Sequence, residues 1–323
     1  MNENTPQPTV SVIMLSYNHG RYISRAVESV LMQKTDFPYE ILIGDDASSD
    51  DSPEILKEYA EKYPDRIRLV LRGENTGTTR NAYDLMQRAR GKYLASCESD
   101  DYWTDECKLQ KQVSFLESHP EYIGCTHPVV CVDPRGTPLK QQRVRWISRK
   151  KVYTIRDFRG IVLPGHSCSV VRRNIFLEPK YDYSIMWKAN PYIGDRTSTL
   201  LFAAQGDFFQ LSEPMACYQR ELTSGARNLT WTLYHNGGSW LRDELEYTQR
   251  LADYAENVLK TDAGFEYYRR ELLTSAVFAV IKHNNTENKQ MVRDIIGCMK
   301  HPAAAVLLVP FIAVRKLFNK RFA

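Results

Sequence analysis

Between residues 10 and 101 the chain alternates four short apolar runs with three amphipathic segments, and few folds accept that order. Val10-Ser-Val-Ile-Met-Leu-Ser-Tyr17 is β-rich and nearly all apolar, and Glu40-Ile-Leu-Ile-Gly44, Ile67-Arg-Leu-Val-Leu71 and Lys92-Tyr-Leu-Ala-Ser96 follow it. Such runs suit strands covered on both faces, as in a parallel sheet. Between them, Ile23, Ala26, Val27, Val30 and Leu31 form one helical stripe, Leu56, Tyr59, Ala60 and Tyr63 a second, and Ala82, Leu85, Met86 and Ala89 a third. Ser52 followed by Pro53 marks a helix start. Repeated strand-helix units with short loops predict an α/β fold with a mainly parallel, doubly wound sheet.

Two of these strands end in acid. Glu40–Gly44 runs into Asp45-Asp46-Ala47-Ser48-Ser49-Asp50-Asp51, and the fourth strand runs into Glu98-Ser99-Asp100-Asp101. In an open α/β sheet, ligands bind at the carboxyl ends of strands. Hard oxygen donors there suit Mg²⁺ or Mn²⁺, which usually arrives bridged to phosphate, so Glu98, Asp100 and Asp101 are a candidate metal-phosphate clamp. The competing interpretation is a solvated acidic turn that caps the next helix; a second acidic turn in the same sheet weighs against it. A calcium EF-hand from Asp46 fails, because Asp51 and Lys57 stand where Gly and Glu are required.

Further along, a helix is expected from Asp105 to about Ser118, strand-like sequence over 122–132, and a basic and aromatic loop over 140–159 that includes Arg143, Arg145, Trp146 and Tyr153. That loop suits either phosphate and sugar binding or a solvated cover over the sheet. Gly165–Val171 is again strand-like. Tyr192-Ile-Gly-Asp195 opens a helix over 196–205 with Gly206 as its C-cap, and 208–211 and 215–219 are short strands. Long amphipathic helices begin near Ser239, which places a boundary near residue 225: a domain over 8–225 and a helical region over 226–323. Ala303 to Val314 is uncharged and followed by Arg315, Lys316, Lys320 and Arg321. It is shorter than the roughly 20 residues that span a bilayer. Residues 303–321 therefore suit either a membrane-interface segment or a helix docked on the helical region.

Composition narrows the setting. A formal charge of +4 gives no argument for a nucleic-acid partner, and seven cysteines without C-x-x-C spacing fit reduced thiols. Met1–Thr9 lacks the basic and apolar regions of a signal peptide, so a cytoplasmic protein is expected.

Taken together, VSVIMLSYN at 10–18, GDDASSDDS at 44–52, Asn75-Thr-Gly77 with Arg80-Asn81, Gly91-Lys-Tyr-Leu ahead of ESDD, and Gly194-Asp195 before an apolar helix resemble the family 2 glycosyltransferases of the nucleotide-diphospho-sugar transferase (GT-A) fold. The resemblance covers roughly residues 8 to 220, in order. It implies an inverting, metal-dependent enzyme that moves a sugar from a nucleotide donor, UDP-linked by preference, to a hydroxyl of a glycan or lipid-linked glycan. Bacterial surface polysaccharide synthesis at the inner face of the membrane is the implied setting.

In family terms Ser16 and Tyr17 meet the nucleotide base, Asp45 accepts the uracil imide N–H while Asp46 orders the loop, and Arg80 reaches the diphosphate. Glu98 to Asp101 corresponds to a D-x-D-D metal motif with Glu in first place, so Asp100 and Asp101 are the implied Mn²⁺ or Mg²⁺ ligands. Asp195 is the implied catalytic base, although the family often has Glu-Asp where this chain has Gly194-Asp195. Other roles stay open: Asp195 as a residue favoured by the helix dipole, and His166 as either an acceptor or phosphate contact or a structural histidine. A sugar-phosphate nucleotidyltransferase would need a Gly-rich basic loop after the first strand, which Ser16–Arg21 is not. An inactive scaffold that binds membrane or a partner enzyme through its C-terminal helices is the alternative outside catalysis. Residues 226–323 are the candidates for acceptor choice, homo-oligomerisation and membrane contact.

Overall fold

The apolar runs form half of one sheet. In the computed structural model, which describes residues 7–220, 240–303 and 307, β1 (Val10–Ser16), β2 (Tyr39–Asp45), β3 (Ile67–Leu71) and β4 (Tyr93–Ser96) pair in parallel in the order β3-β2-β1-β4. Every residue of β2 is buried, and all but one of β1. That explains why neither strand alternates apolar with polar residues. The crossovers are α1 (Gly20–Leu31), α2 (Ser52–Lys62) and α3 (Thr78–Arg88). Ile23, Val27 and Val30 of α1 and Leu56 of α2 join Val12, Met14, Ile41 and Ile43 in one core. Ser16 stands opposite Asp45 in the β1-β2 register, so the ends of these strands, and the turns that follow them, lie side by side.

The second half of the sheet is mixed. After β4 the order continues through β9 (Val171–Arg173), β6 (Tyr122–Thr126), β10 (Asp207–Gln210) and β8 (Val152–Tyr153). β9 is antiparallel to both β4 and β6, and β8 is antiparallel to β10. A three-stranded sheet in the order β5 (Tyr102–Trp103), β11 (Ala216–Gln219), β7 (Val129–Val132) lies immediately after the second acidic turn. α4 (Lys108–Ser118) covers the core with Leu109, Val113 and Leu116, and two single-turn helices follow it along the chain, α5 (Ile155–Phe158) and α6 (Ile185–Lys188).

Several local expectations change. Residues 122–132 are two strands in two sheets, broken at His127-Pro128, because proline withholds a ladder N–H. Gly165–Val171 is not a continuous strand but contains a 3-10 turn over Ser167–Ser169, closed by the Ser169 hydroxyl donating to the His166 carbonyl at 2.7 Å. α7 (Asp195–Ala203) is capped by Ala204 rather than Gly206. Gly206 instead lets the chain pass Ile123, whose Cβ would lie 3.0 Å from an added methyl.

The chain divides into two compact units, Met1–Thr154 with Leu163–Thr223 and Ile155–Val162 with Ser224–Ala323. In the second, α8 (Trp240–Asn257), α9 (Phe265–Lys282) and α10 (Thr286–Gly297) bury Leu241, Leu245, Leu272, Leu273, Met291 and Ile295 together. Phe158 packs edge-on against Phe265 with ring centroids 5.6 Å apart, which brings residues 155–162 into this unit. No helix among the described residues is long and apolar enough to cross a membrane. Apart from residues 303 and 307, the segment 303–321 lies outside the described residues.

Candidate active site

At the end of β2 the two adjacent aspartates do different work. Asp45 is buried and accepts hydrogen bonds from the Ser48 N–H at 3.0 Å and the Ser48 hydroxyl at 2.6 Å. This closes a tight turn in which Ala47 takes φ +62°. Asp46, also buried, accepts from the Thr76 N–H (2.9 Å), the Thr76 hydroxyl (2.8 Å) and the Gly77 N–H (2.9 Å). It therefore orders the loop that leads into α3. The turn after β1 is laced to the same segment: Asn18 donates its N–H to the Ser48 hydroxyl and accepts from the Ser49 N–H, both at 2.8 Å. Tyr17 is 49% exposed, leaving a ring face free to stack. Ser16 beside it is buried, with its hydroxyl unpartnered.

The second acidic turn follows β4. The Ser99 hydroxyl donates to the Leu15 carbonyl, which ties the turn to the end of β1, and the Asp101 N–H donates to the Glu98 carbonyl at 3.0 Å. Glu98, Asp100 and Asp101 each offer a carboxylate oxygen within 4.8 Å of the others. Asp101 is fully buried. One of its oxygens accepts from the Gln219 N–H of β11 at 2.9 Å, and the other, Oδ2, has no hydrogen-bond partner and lies 3.3 Å from Nδ1 of His166. Burial, then the charges of Asp100 and Glu98, hold the Asp101 carboxyl well above the usual carboxylate range. Burial and the charges of Asp195 and Asp100 push Glu98 up to about 8, against an opposing hydrogen bond from Ser167.

Asp195 opens α7 and is solvent-exposed. Its loop is anchored to α3, where the Thr79 hydroxyl donates to the Asn190 carbonyl at 2.8 Å. Crowding by the surrounding protein raises its carboxyl while the buried Arg172 guanidinium opposes the rise, and its access to water limits the effect. The charge of Asp195 on Glu98 brings the expected base and the expected clamp into one neighbourhood. Arg80 is half-exposed, pairs with Asp84 at 3.2 Å and rests over the Trp187 ring at 4.4 Å.

Several contributors escaped sequence reasoning. Gln219, Tyr218 and Cys168 reach the Asp101 carboxylate or its His166 neighbour from segments far along the chain, and no spacing rule announces them. Arg172 reads as a strand cation, yet it is buried, donates to the Ser198 hydroxyl at 2.8 Å and lies over the Phe202 ring at 4.0 Å. A cavity of about 530 Å³ opens at the amino end of β2, among Lys34, Tyr39, Glu40, Arg66 and Arg90, at the other end of that strand from Asp45.

Comparison with known proteins bears on the family and the fold. The sequence model described as Glycosyl transferase family 2 matches residues 11–178. Uncharacterized protein Rv1520 of Mycobacterium tuberculosis (strain H37Rv) is 37% identical over 211 residues, covering 65% of this chain and 58% of that protein. TuaG of Bacillus subtilis, named for teichuronic acid biosynthesis as a glycosyltransferase, is 42% identical over 134 residues, 41% of this chain and 51% of TuaG. The matched region thus spans less than two thirds of either relative. Among solved structures, Staphylococcus aureus TarS superposes with a TM-score of 0.66 at 17% identity, covering 94% of this chain and 52% of TarS. The TarS 1-349 structure in complex with UDP-GlcNAc gives 0.60 at 18% identity, covering 90% and 80%. The family match runs through both acidic turns and the fold is that of TarS, so the chain belongs to glycosyl transferase family 2 and has the GT-A fold.

Proposed function

We propose that this chain is an inverting, metal-dependent glycosyltransferase that moves a sugar from a UDP-linked donor to a hydroxyl of a glycan or lipid-linked glycan in bacterial cell-surface polysaccharide synthesis. The observation that carries the proposal is the gathering of Glu98, Asp100 and Asp101 oxygens within 4.8 Å of one another, with the charge of Asp195 felt at Glu98. The donor set is all hard oxygen and includes a buried Asp101 oxygen without a hydrogen-bond partner, which fits Mg²⁺ or Mn²⁺. TuaG's name and the UDP-GlcNAc complex of TarS support the acceptor class and the nucleotide.

The chain's own groups divide the work as follows. Tyr17 stacks on the base, with Ser16 beneath it. Asp45 accepts the uracil imide N–H through lone pairs that Ser48 leaves free, since a carboxylate has about four such sites. Arg80 swings from Asp84 toward the diphosphate. Asp100 and Asp101 hold the ion, which when bound offsets negative charge on the departing nucleoside diphosphate. Asp195 takes the acceptor hydroxyl's proton on the face of the sugar opposite the leaving group, and direct attack by one oriented nucleophile inverts the anomeric carbon. A lipid-linked acceptor would be met at a membrane surface, where the apolar-basic sequence 303–321 is suited to lie.

The test is a transfer assay with UDP-sugars, Mn²⁺ or Mg²⁺ and a panel of glycan and polyol-phosphate acceptors, with the product's anomeric configuration read by NMR. The proposal expects an inverted product, and a loss of about 10²–10⁴ in rate for Asp195→Asn with donor binding kept. A retained configuration, or full turnover by Asp195→Asn, contradicts it.

A further inference from the structure

A second cluster, chemically unlike the oxygen clamp, shares Asp101 with it. Asp101, His166 and Cys168 each offer one ligand atom within 4.8 Å of the other two. Nδ1 of His166 lies 3.3 Å from Oδ2 of Asp101 and 3.2 Å from Sγ of Cys168. Zinc bonds of about 2.0 Å to nitrogen and oxygen and about 2.3 Å to sulfur set tetrahedral ligand atoms about 3.3–3.5 Å apart. The imidazole nitrogen therefore stands near zinc-ligand spacing from both the Asp101 oxygen and the Cys168 sulfur already.

Hydrogen bonding alone leaves the cluster incompletely satisfied. Nδ1 can carry one proton for two neighbours, and Oδ2 of the fully buried Asp101 has no nitrogen or oxygen donor aligned on it, only the weak Cys168 thiol beside the carboxyl. A buried carboxylate oxygen in that state is costly, and a cation relieves it. Each ligand is also held from behind. The Gln219 N–H fixes the other Asp101 oxygen at 2.9 Å, the Tyr218 ring stacks on the imidazole at 3.9 Å, and the Trp103 indole N–H donates to the Cys168 carbonyl at 3.0 Å. Contacts of this kind orient ligands in metal sites. His166 is the member that retains some exposure, 11% of its side chain, and so marks the entry side.

We infer that Asp101, His166 and Cys168 form a second cation site, selective for thiophilic Zn²⁺, and that Zn²⁺ bound there inhibits sugar transfer by engaging the carboxylate that the oxygen clamp needs. Imidazole and thiolate favour zinc, whereas carboxylate oxygen alone suits magnesium and manganese. Binding converts the Cys168 thiol to a zinc thiolate and releases its proton to solvent, together with any proton that the Asp101 carboxyl holds in the metal-free protein. The inhibitory part rests on the proposed role of Asp101; the zinc site itself does not.

The experiment uses the full chain, stripped with chelator and titrated with Co²⁺ as a spectroscopic stand-in for Zn²⁺. A near-ultraviolet thiolate-to-cobalt band should saturate at one equivalent, be erased by Zn²⁺ and survive excess Mg²⁺. Cys168→Ser should abolish the band. His166→Gln, a second variant in case the first misfolds, should weaken Co²⁺ affinity at least about tenfold, as loss of even an outer contact does. Melting curves confirm that each variant is folded. No band in the wild type, or an unchanged band in folded Cys168→Ser, overturns the site. In the transfer assay Zn²⁺ should inhibit the wild type in the presence of Mn²⁺ and spare Cys168→Ser; equal inhibition of both overturns the inhibitory part alone. The cobalt band involves no sugar chemistry, so failure of the site and failure of the proposed function are distinguishable.

Discussion

One oxygen of Asp101 accepts the backbone N–H of Gln219 at 2.9 Å, joining the acidic turn after β4 to a strand 118 residues later. The bond fixes the carboxylate that both candidate cation sites use. Asp101→Ala strands the Gln219 N–H, at a cost of about 1–3 kcal/mol for an unmade buried bond. Asp101→Asn keeps an acceptor there and should cost less. Urea unfolding of the two variants checks this, and equal destabilisation would deny the bond its role.

The acidic cluster sets a pH dependence. Glu98 rises from 4.5 to about 8 in the folded protein because of burial and the charges of Asp195 and Asp100, and Asp101 rises in the same sense. The folded state therefore binds more protons than the unfolded state in this window. Stability present below about 4.5 is lost as pH climbs toward about 8. Metal-free protein should melt progressively lower between pH 5 and pH 8 (about the window just given). Glu98→Gln should flatten that slope, and added Mn²⁺ should raise the melt most at the alkaline end, where no proton competes for the ligands. A slope unchanged by Glu98→Gln refutes the assignment.

Lys108 is wholly buried, with its amine unpartnered and 4.1 Å from the centre of the Trp103 ring. Burial lowers its pKa to about 8. Here the unfolded state holds the proton more tightly, so this residue costs stability below pH 8 and the penalty fades between about 8 and 10.5. Lys108→Met keeps the volume, removes the amine, and should stabilise by roughly 1–3 kcal/mol at neutral pH. Denaturant midpoints at neutral and alkaline pH give the comparison: the gain should shrink at the alkaline value, and a loss at both would mean that the amine has a partner.

Asp46→Ala removes the acceptor for the Thr76 and Gly77 N–H groups. A cost of about 1.5–3 kcal/mol is expected, the range for bonds to a charged acceptor. Donor binding should weaken as well, because the loop that loses its anchor leads into the helix of Arg80. Asp46→Ala with unchanged stability and donor affinity would contradict this.

What was legible in the sequence follows from what is local. β1 to β4 and their helices are encoded by runs and stripes within single segments, and both acidic turns lie where those strands stop. The role of Asp46 as loop organiser was legible for the same reason. β9 was not: its three residues, Val171–Arg173, carry no pattern that tells an antiparallel insertion from a continuation of the parallel sheet. Lys108 reads as a solvated helix residue and is buried by packing that no window of sequence contains. The company of His166 is likewise tertiary, since Tyr218 approaches from β11 and Asp101 from the turn after β4.

The most direct measurement of the central claim is the thermal stability of the purified chain with UDP, GDP, CDP or dTDP, each with and without Mn²⁺ or Mg²⁺. A nucleotide that binds only the folded state stabilises by about 2.7 kcal/mol at a hundredfold excess over its dissociation constant, a readable melting shift. A metal-assisted glycosyltransferase using a UDP-sugar predicts a shift with UDP that requires the metal, disappears in Asp101→Asn and persists in Asp195→Asn. A metal-independent shift, or none with any nucleotide, would contradict the clamp at Asp100 and Asp101.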